Sequence, residues 1–190
     1  RMSLGSFQGG AFSLEEGYDY SATKGTTLTA NATVNTVGSY VELLSAANNT
    51  MPSSDLAIEA VNTAAANPQD TNFLVNIAIG GAGSEEDVIQ NLMVKGSPAV
   101  LGVNLFRFDF PIQIPAGVRI SANCQSSVTA EIIDVAIVRT YGDLGAEPSL
   151  SLIENAGSIT ATSKGTTVAR STADTFGSWT EIVASTAECY

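Results

Sequence analysis

The chain contains no histidine, and that absence removes more chemistry than any residue present supplies. Without an imidazole, Ser-His-Asp and Cys-His nucleophilic sites are excluded, as are His-ligated zinc and non-haem iron. Cysteine is nearly as scarce. Cys124 and Cys189 are too few for a disulfide framework and have the wrong pattern for a metal knuckle. Charged residues make up 14% of the chain, against roughly 25% in an average soluble protein. Cations are the rarer sign: 8 Lys plus Arg stand against 19 Asp plus Glu, for a net charge of -11. Nucleic-acid binding needs clustered cations to displace counterions, and attachment to an anionic bilayer surface needs them too, so neither partner is expected. No run of about 18 apolar residues is present, so no membrane-spanning helix is expected.

What remains is a chain of 190 residues with 44% hydrophobic content, enough to bury a core, and a surface left to Ser, Thr, Asn and Gln. Such a surface suits β-structure packed against neighbours. From about Thr23, short runs rich in Val, Ile, Leu, Thr and Phe recur between Gly, Pro, Asn and Ser clusters. They predict strands over Thr26–Val34, Ser39–Ser45, Leu56–Val61, Phe73–Ile79, Val88–Val94, Val103–Phe108, Phe110–Ile114, Val118–Cys124 and Ala130–Arg139. In the last, Ile133, Val135 and Ile137 alternate with Ile132, Asp134, Ala136 and Val138, one face apolar and the other mixed, as a sandwich strand requires. Gly80–Ser84, Gly96–Pro98 and Pro115–Gly117 read as turns. The stretch Ser53–Ala66 is ambiguous, because its Ala-rich second half also fits a short helix capped by Ser54. Residues 1–21 have no periodicity and carry dispersed aromatics, which fits an extended arm docked on a partner or on its own domain.

An internal repeat organises the chain. Lys24-Gly25-Thr26-Thr27-Leu28 returns as Lys164-Gly165-Thr166-Thr167-Val168. Thr36-Val37-Gly38-Ser39-Tyr40-Val41-Glu42-Leu43-Leu44 returns as Thr175-Phe176-Gly177-Ser178-Trp179-Thr180-Glu181-Ile182-Val183, one residue closer. The expected domains are an arm at 1–21, a sandwich at 22–145, a linker at 146–157, and the first strands of a second, incomplete copy at 158–190. Two strands bury no core alone. The second unit is therefore expected to be completed by further sequence or to donate its strands to another sheet.

No residue carries a catalytic, cofactor-binding or metal-binding assignment. The carboxylate clusters Glu15-Glu16-Asp19 and Glu85-Glu86-Asp87, with Asp109, have no calcium-loop spacing and read as solvated loop charge. Gly80-Gly81-Ala82-Gly83 lacks the later glycine of a dinucleotide fingerprint and no P-loop lysine follows it, so it reads as a hairpin loop. Cys124 reads as a small buried hydrophobe. Trp179, the one tryptophan, and its repeat partner Tyr40 read as core or inter-sheet packing.

The segment Phe110–Gln125, with Ile114-Pro115-Ala116-Gly117 and then Arg119, is followed by the apolar strand Glu131–Val138. Together they resemble modules of virion structural proteins from tailed bacteriophages. The openings at Lys24–Thr27 and Gly38–Leu43, and the run Val88–Leu92, are similar to the same modules. The resemblance covers residues 22–140 and the partial copy at 158–186. It implies a β-sandwich used repeatedly on the outside of a virus particle and offers no active-site residues.

The expected fold class is therefore all-β: an antiparallel, jelly-roll-like β-sandwich with an extended N-terminal arm and the start of a second sandwich. The expected role is a non-enzymatic structural component of a bacteriophage virion, as a capsid decoration, head-fibre or neck/tail appendage subunit. Its expected partners are other virion proteins and further copies of itself, with no cofactor. The alternative is a carbohydrate-binding or adhesin module recognising host surface glycans, which requires exposed aromatics in a shallow groove. A depolymerase fragment, requiring two carboxylates across a cleft, is a weaker third.

Overall fold

Alternation of apolar and polar residues builds the strands, and the way those strands nest builds the fold. In the computed structural model, the described residues are 12–16, 25–62, 71–95, 105–141, 152–163, 165–169 and 171–183. They form ten strands: β1 (Phe12–Glu16), β2 (Thr26–Thr29), β3 (Val41–Leu44), β4 (Asp55–Asn62), β5 (Phe73–Ile79), β6 (Glu86–Val94), β7 (Leu105–Phe110), β8 (Ile120–Ser126), β9 (Ile132–Tyr141) and β10 (Ile153–Glu154). One sheet runs β1-β9-β4-β7, with β2 beside β1 on the same edge of β9; the other runs β10-β6-β5-β8-β3.

The pairing is nested and antiparallel: β2 with β9, β3 with β8, β4 with β7, β5 with β6. Each successive pair lies in the opposite sheet until the β5–β6 hairpin closes the innermost turn. This is a jelly roll, a long hairpin folded over itself so that its two arms alternate between sheets. The sandwich therefore follows the expected class, and its topology takes the jelly-roll form.

The core lies where the two inner faces meet. Leu28, Ile58, Ile133, Val135 and Ile137 come from one sheet, and Phe73, Val75, Ile77, Ile89, Ile120, Ala122 and Cys124 from the other. The alternation read in β9 holds over its first half, with Ile133, Val135 and Ile137 fully buried and Ile132 and Asp134 half-exposed, whereas Ala136 and Val138 on the second face are buried as well. Each fully buried Leu or Ile contributes roughly 1.5–3 kcal/mol.

Several expectations are corrected. The strand expected at Leu56–Val61 is β4, central between β7 and β9, while residues 63–66, at the end of the Ala-rich half that also fitted a helix, lie outside the described residues. Phe110–Ile114 is not a strand beyond Phe110, because Pro111 and Pro115 supply no backbone donors and only isolated bridges form, including Ser53 with Ile114. Within the arm, Phe12–Glu16 forms strand β1 along Ile137–Tyr141 of its own domain. The rest of residues 1–21 and the Gly96–Pro98 turn lie outside the described residues.

The described part of the expected linker, 152–157, is seated on the sandwich, and so is the start of the expected second unit, 158–162. Ile153 and Glu154 pair in parallel with Ile89 and Gln90 of β6, and Asn155 donates through Nδ2 to the Asn91 carbonyl at 2.9 Å. Gln125 donates to the Ile159 carbonyl at 3.3 Å and accepts from the Ala161 amide at 3.2 Å. Asn35 and Thr162 exchange two further bonds at 2.9 Å. Ser158 and Ala161 are buried as a result.

At the turn between β2 and β3 a glycine is sterically required. A Cβ on Gly38 would lie 2.2 Å from the Thr29 carbonyl oxygen, which is backbone and cannot yield. Gly38→Ala is expected to destabilise the sandwich by about 2–3 kcal/mol, near the upper end for overpacking. Chemical denaturation measures it, as a lowered midpoint with an unchanged slope.

Candidate functional site

Three groups of polar side chains in the described sandwich join elements distant in sequence. The first centres on Asn49, fully buried in the loop between β3 and β4. Its Nδ2 donates to the carbonyls of Pro115 and Val118 at 2.8 and 2.9 Å, and its Oδ1 accepts from Arg139 Nη1 at 2.5 Å. The Asn49 carbonyl accepts from the Gly117 amide at 2.7 Å. Arg139 is itself buried on β9, its guanidinium 5.0 Å from the Tyr141 ring centroid. One asparagine thus ties the β3–β4 loop, the Pro115-Ala116-Gly117 turn and the end of β9 together.

The second group spans β3, the β5–β6 hairpin and the approach to β8. Arg119 bonds through Nε to Glu42 and through Nη1 to Glu85, each at 3.0 Å. Burial alone raises the Glu85 pKa. Hydrogen bonds from its own amide, from Arg119 and from the Gly83 amide outweigh that and hold the carboxyl below its ordinary value. Nearby, Tyr40 donates its hydroxyl to Asp87 Oδ1 at 2.6 Å. Burial, reinforced by the Asp87 hydrogen bond and charge, pushes the Tyr40 phenol far above its ordinary range. Asp87 is also raised by burial, although the Tyr40 bond opposes this. The Glu85-Glu86-Asp87 cluster is therefore not simply solvated loop charge: Glu85 and Asp87 are bonded, and Glu86 alone is exposed. Spacing along the sequence gives no hint of this, because the partners lie 34 and 47 residues away.

The third group is an ion-pair cluster across β4 and β7, with Arg107 bonded to Glu59 at 2.6 Å and to Asp109 at 3.0 Å. Glu15, Glu16 and Asp19 have no described side chains. Among the described residues no cluster of three or more Cys, Asp and Glu is arranged to hold a metal ion. Cys124 is buried, and that burial pushes its thiol up to about 12, which suppresses the thiolate a nucleophile requires. A depression of about 400 Å³ beside the β3–β4 loop is lined by Pro52, Ser53, Ser54, Gln113, Ile114 and Pro115, none of them charged. The Gly80–Ser84 loop is a hairpin turn between β5 and β6, as expected.

The aromatic expectations divide. Tyr40 is half-buried, and Phe106 packs against the core. Trp179 is fully exposed, together with Phe176, which corrects its assignment to the core. Among the described residues no strand pairs with 165–183, whereas β9 and β8 cover β2 and β3. Val168, Phe176, Trp179 and Ile182 line a groove of about 520 Å³. Ile159 and Val183 on the same segment are also exposed, as are Val37 and Met51 elsewhere. What this arrangement can do chemically is bind an apolar surface.

No family model matches this chain, and no curated protein matches it. Solved structures do. A structure of the Gt strain of infectious bursal disease virus matches 75% of this chain and 35% of its own, at 15% identity and a TM-score of 0.40. The VP2 subviral particle of the same virus matches 72% and 34%, at 14% identity and a TM-score of 0.39. The chain spans about a third of the length of these proteins. At these TM-scores the likeness carries no argument about function.

Two substitutions test the polar groups. Asn49→Ala removes the donor to two carbonyls and the acceptor for Arg139, and is expected to cost about 3 kcal/mol of stability by denaturant titration. Tyr40 has a folded pKa raised above its unfolded value of about 10. Its stabilising contribution is therefore complete below that pH and is lost as pH rises through the folded value. Tyr40→Phe is expected to lower stability by about 1 kcal/mol at neutral pH and to flatten part of the alkaline loss, measured as denaturation midpoint against pH.

Proposed function

We propose that this chain is a non-enzymatic structural component of a bacteriophage virion, a capsid decoration, head-fibre or neck/tail appendage subunit that works by protein-protein assembly. The observation that carries the reading is the division of labour among its side chains. Arg107 and Arg119 are engaged by carboxylates within the sandwich, while six of the eight large exposed apolar side chains among the described residues lie on one segment, 159–183. A surface built this way favours permanent contacts over catalysis. The net charge of -11 disfavours capture by a packaged genome. The tailed-phage resemblance of Phe110–Gln125 and Glu131–Val138 points the same way.

The glycan-binding alternative has one observation in its favour: Phe176 and Trp179 are exposed along a groove, as a sugar platform requires. Tyr40 and Phe106, partly buried, do not join them. The depolymerase alternative needs two carboxylates across a cleft. Glu59 and Asp109, the carboxylates brought together on β4 and β7, are both engaged by Arg107.

Quantitative mass spectrometry of purified particles from the phage that encodes the chain tests the proposal. The chain is expected in fixed copy number: hundreds for a capsid decoration, about 3–12 for a cyclic neck, tail or vertex element. Absence from particles, combined with saturable binding to host glycans, would establish the alternative.

A further inference from the structure

The second copy of the repeat keeps the turn geometry of the first but has no partner strands among the described residues. In the first copy, the turn between β2 and β3 has Asn35 at φ 60° and a bond from the Thr36 amide to the Thr33 carbonyl at 3.2 Å. In the second, Asp174 sits at φ 61° and the Thr175 amide bonds to the Thr172 carbonyl at 3.3 Å. These are repeat-equivalent positions. Gly25 and Gly165, also equivalent, both have positive φ, at 130° and 94°.

Their surroundings differ. A Cβ on Gly25 would meet the Val135 backbone of β9 at 2.7 Å, whereas one on Gly165 would meet nothing within 4 Å. Leu28, Leu43 and Leu44 are 1%, 8% and 5% exposed; their counterparts Val168, Ile182 and Val183 are 64%, 56% and 43% exposed. Tyr40 is half-buried, and Trp179 is 103% exposed. Glu42 pairs with Arg119, and its counterpart Glu181 is exposed. Nested pairing explains what is missing: β2 and β3 are held by β9 and β8, the last strands of a jelly roll.

We propose that residues 165–183 are the β2–β3 pair of a second jelly roll, seated on a β8/β9-type strand pair that is not part of this structure. The occupant is defined by complementarity. Its β9-type strand runs antiparallel to 166–169, with backbone against Gly165 and apolar residues over Val168. Its β8-type strand follows an arginine that pairs with Glu181, and it covers Ile182 and Val183. A second copy of the chain fits less well, because its own β8 and β9 already hold β3 and β2. The inference stands on the repeat and is independent of the virion reading.

Trp179, the one tryptophan, reports directly. The test extends the chain through Val183 with a second copy of residues 45–145, which supplies β4 to β9 after the second β2–β3 pair. The expected result is a monomer whose tryptophan emission shifts to the blue and whose acrylamide quenching falls several-fold, both reversed by Gly177→Val. A folded monomer with a fully solvated indole would overturn the proposal.

A second variant holds if the extension misfolds. In the 190-residue chain, Leu28→Val, Tyr40→Trp, Leu43→Ile and Leu44→Val, with Trp179→Phe, place the second copy's residues in the first sandwich. A cooperative fold with one shielded indole supports equivalence, and an unfolded chain or a solvated indole refutes it. If instead the unaltered chain doubles its mass in solution and shields Trp179, a second copy supplies the strands and the proposed occupant is wrong.

Discussion

The nested pairing of first strands with last is the constraint on which the rest of this structure depends. β2 and β3 hold four residues each, too few to persist as an isolated hairpin, and they lie in different sheets. Each is held by a strand roughly 80 to 110 residues further along the chain, Leu28 beside Ile133 and Val41 beside Ala122. Burial of Leu28, Leu43 and Leu44 is therefore conditional on β8 and β9 being in place. The polar groups reinforce the same closure. Asn49 fixes the approach to β8 against the end of β9, and Arg119 ties β3 to the β5–β6 hairpin. Long sequence separation makes this closure costly in chain entropy.

That dependence links fold to role. The ionisable groups that are buried or paired here serve the joints of the sandwich, and Cys124 is held as an unreactive thiol. What the surface offers is an apolar segment attached through the strap at 152–163, which is hydrogen-bonded along β6 and Gln125.

Much of the fold was legible because strand alternation is a local signal. Ile133, Val135 and Ile137 could be placed in the core from their spacing, as could the strands around Phe73–Ile79 and Val88–Val94. Strand ends were less legible, since Pro111 and Pro115 break the ladder where composition still looks like strand. The strand at Leu56–Val61 was legible from its apolar residues, and its place between β7 and β9 gives it partners on both edges. β1 and β10 were invisible because their partners, not their own residues, make them strands. The Tyr40–Asp87 and Arg119–Glu85 contacts were likewise hidden by sequence distance. Trp179 was placed in a core as a repeat-matched aromatic in an alternating strand; among the described residues no strand pairs with its segment, and its side chain is exposed.

Hydrogen-deuterium exchange of the dilute, monomeric 190-residue chain tests the central claim, that partner strands and not local sequence decide which copy of the repeat is held. Amides of β2 and β3 that bond to β9 and β8 are expected to be protected to nearly the global unfolding free energy, while those of 165–183 exchange almost as fast as free peptide. Equal protection of the two copies in the monomer would contradict it.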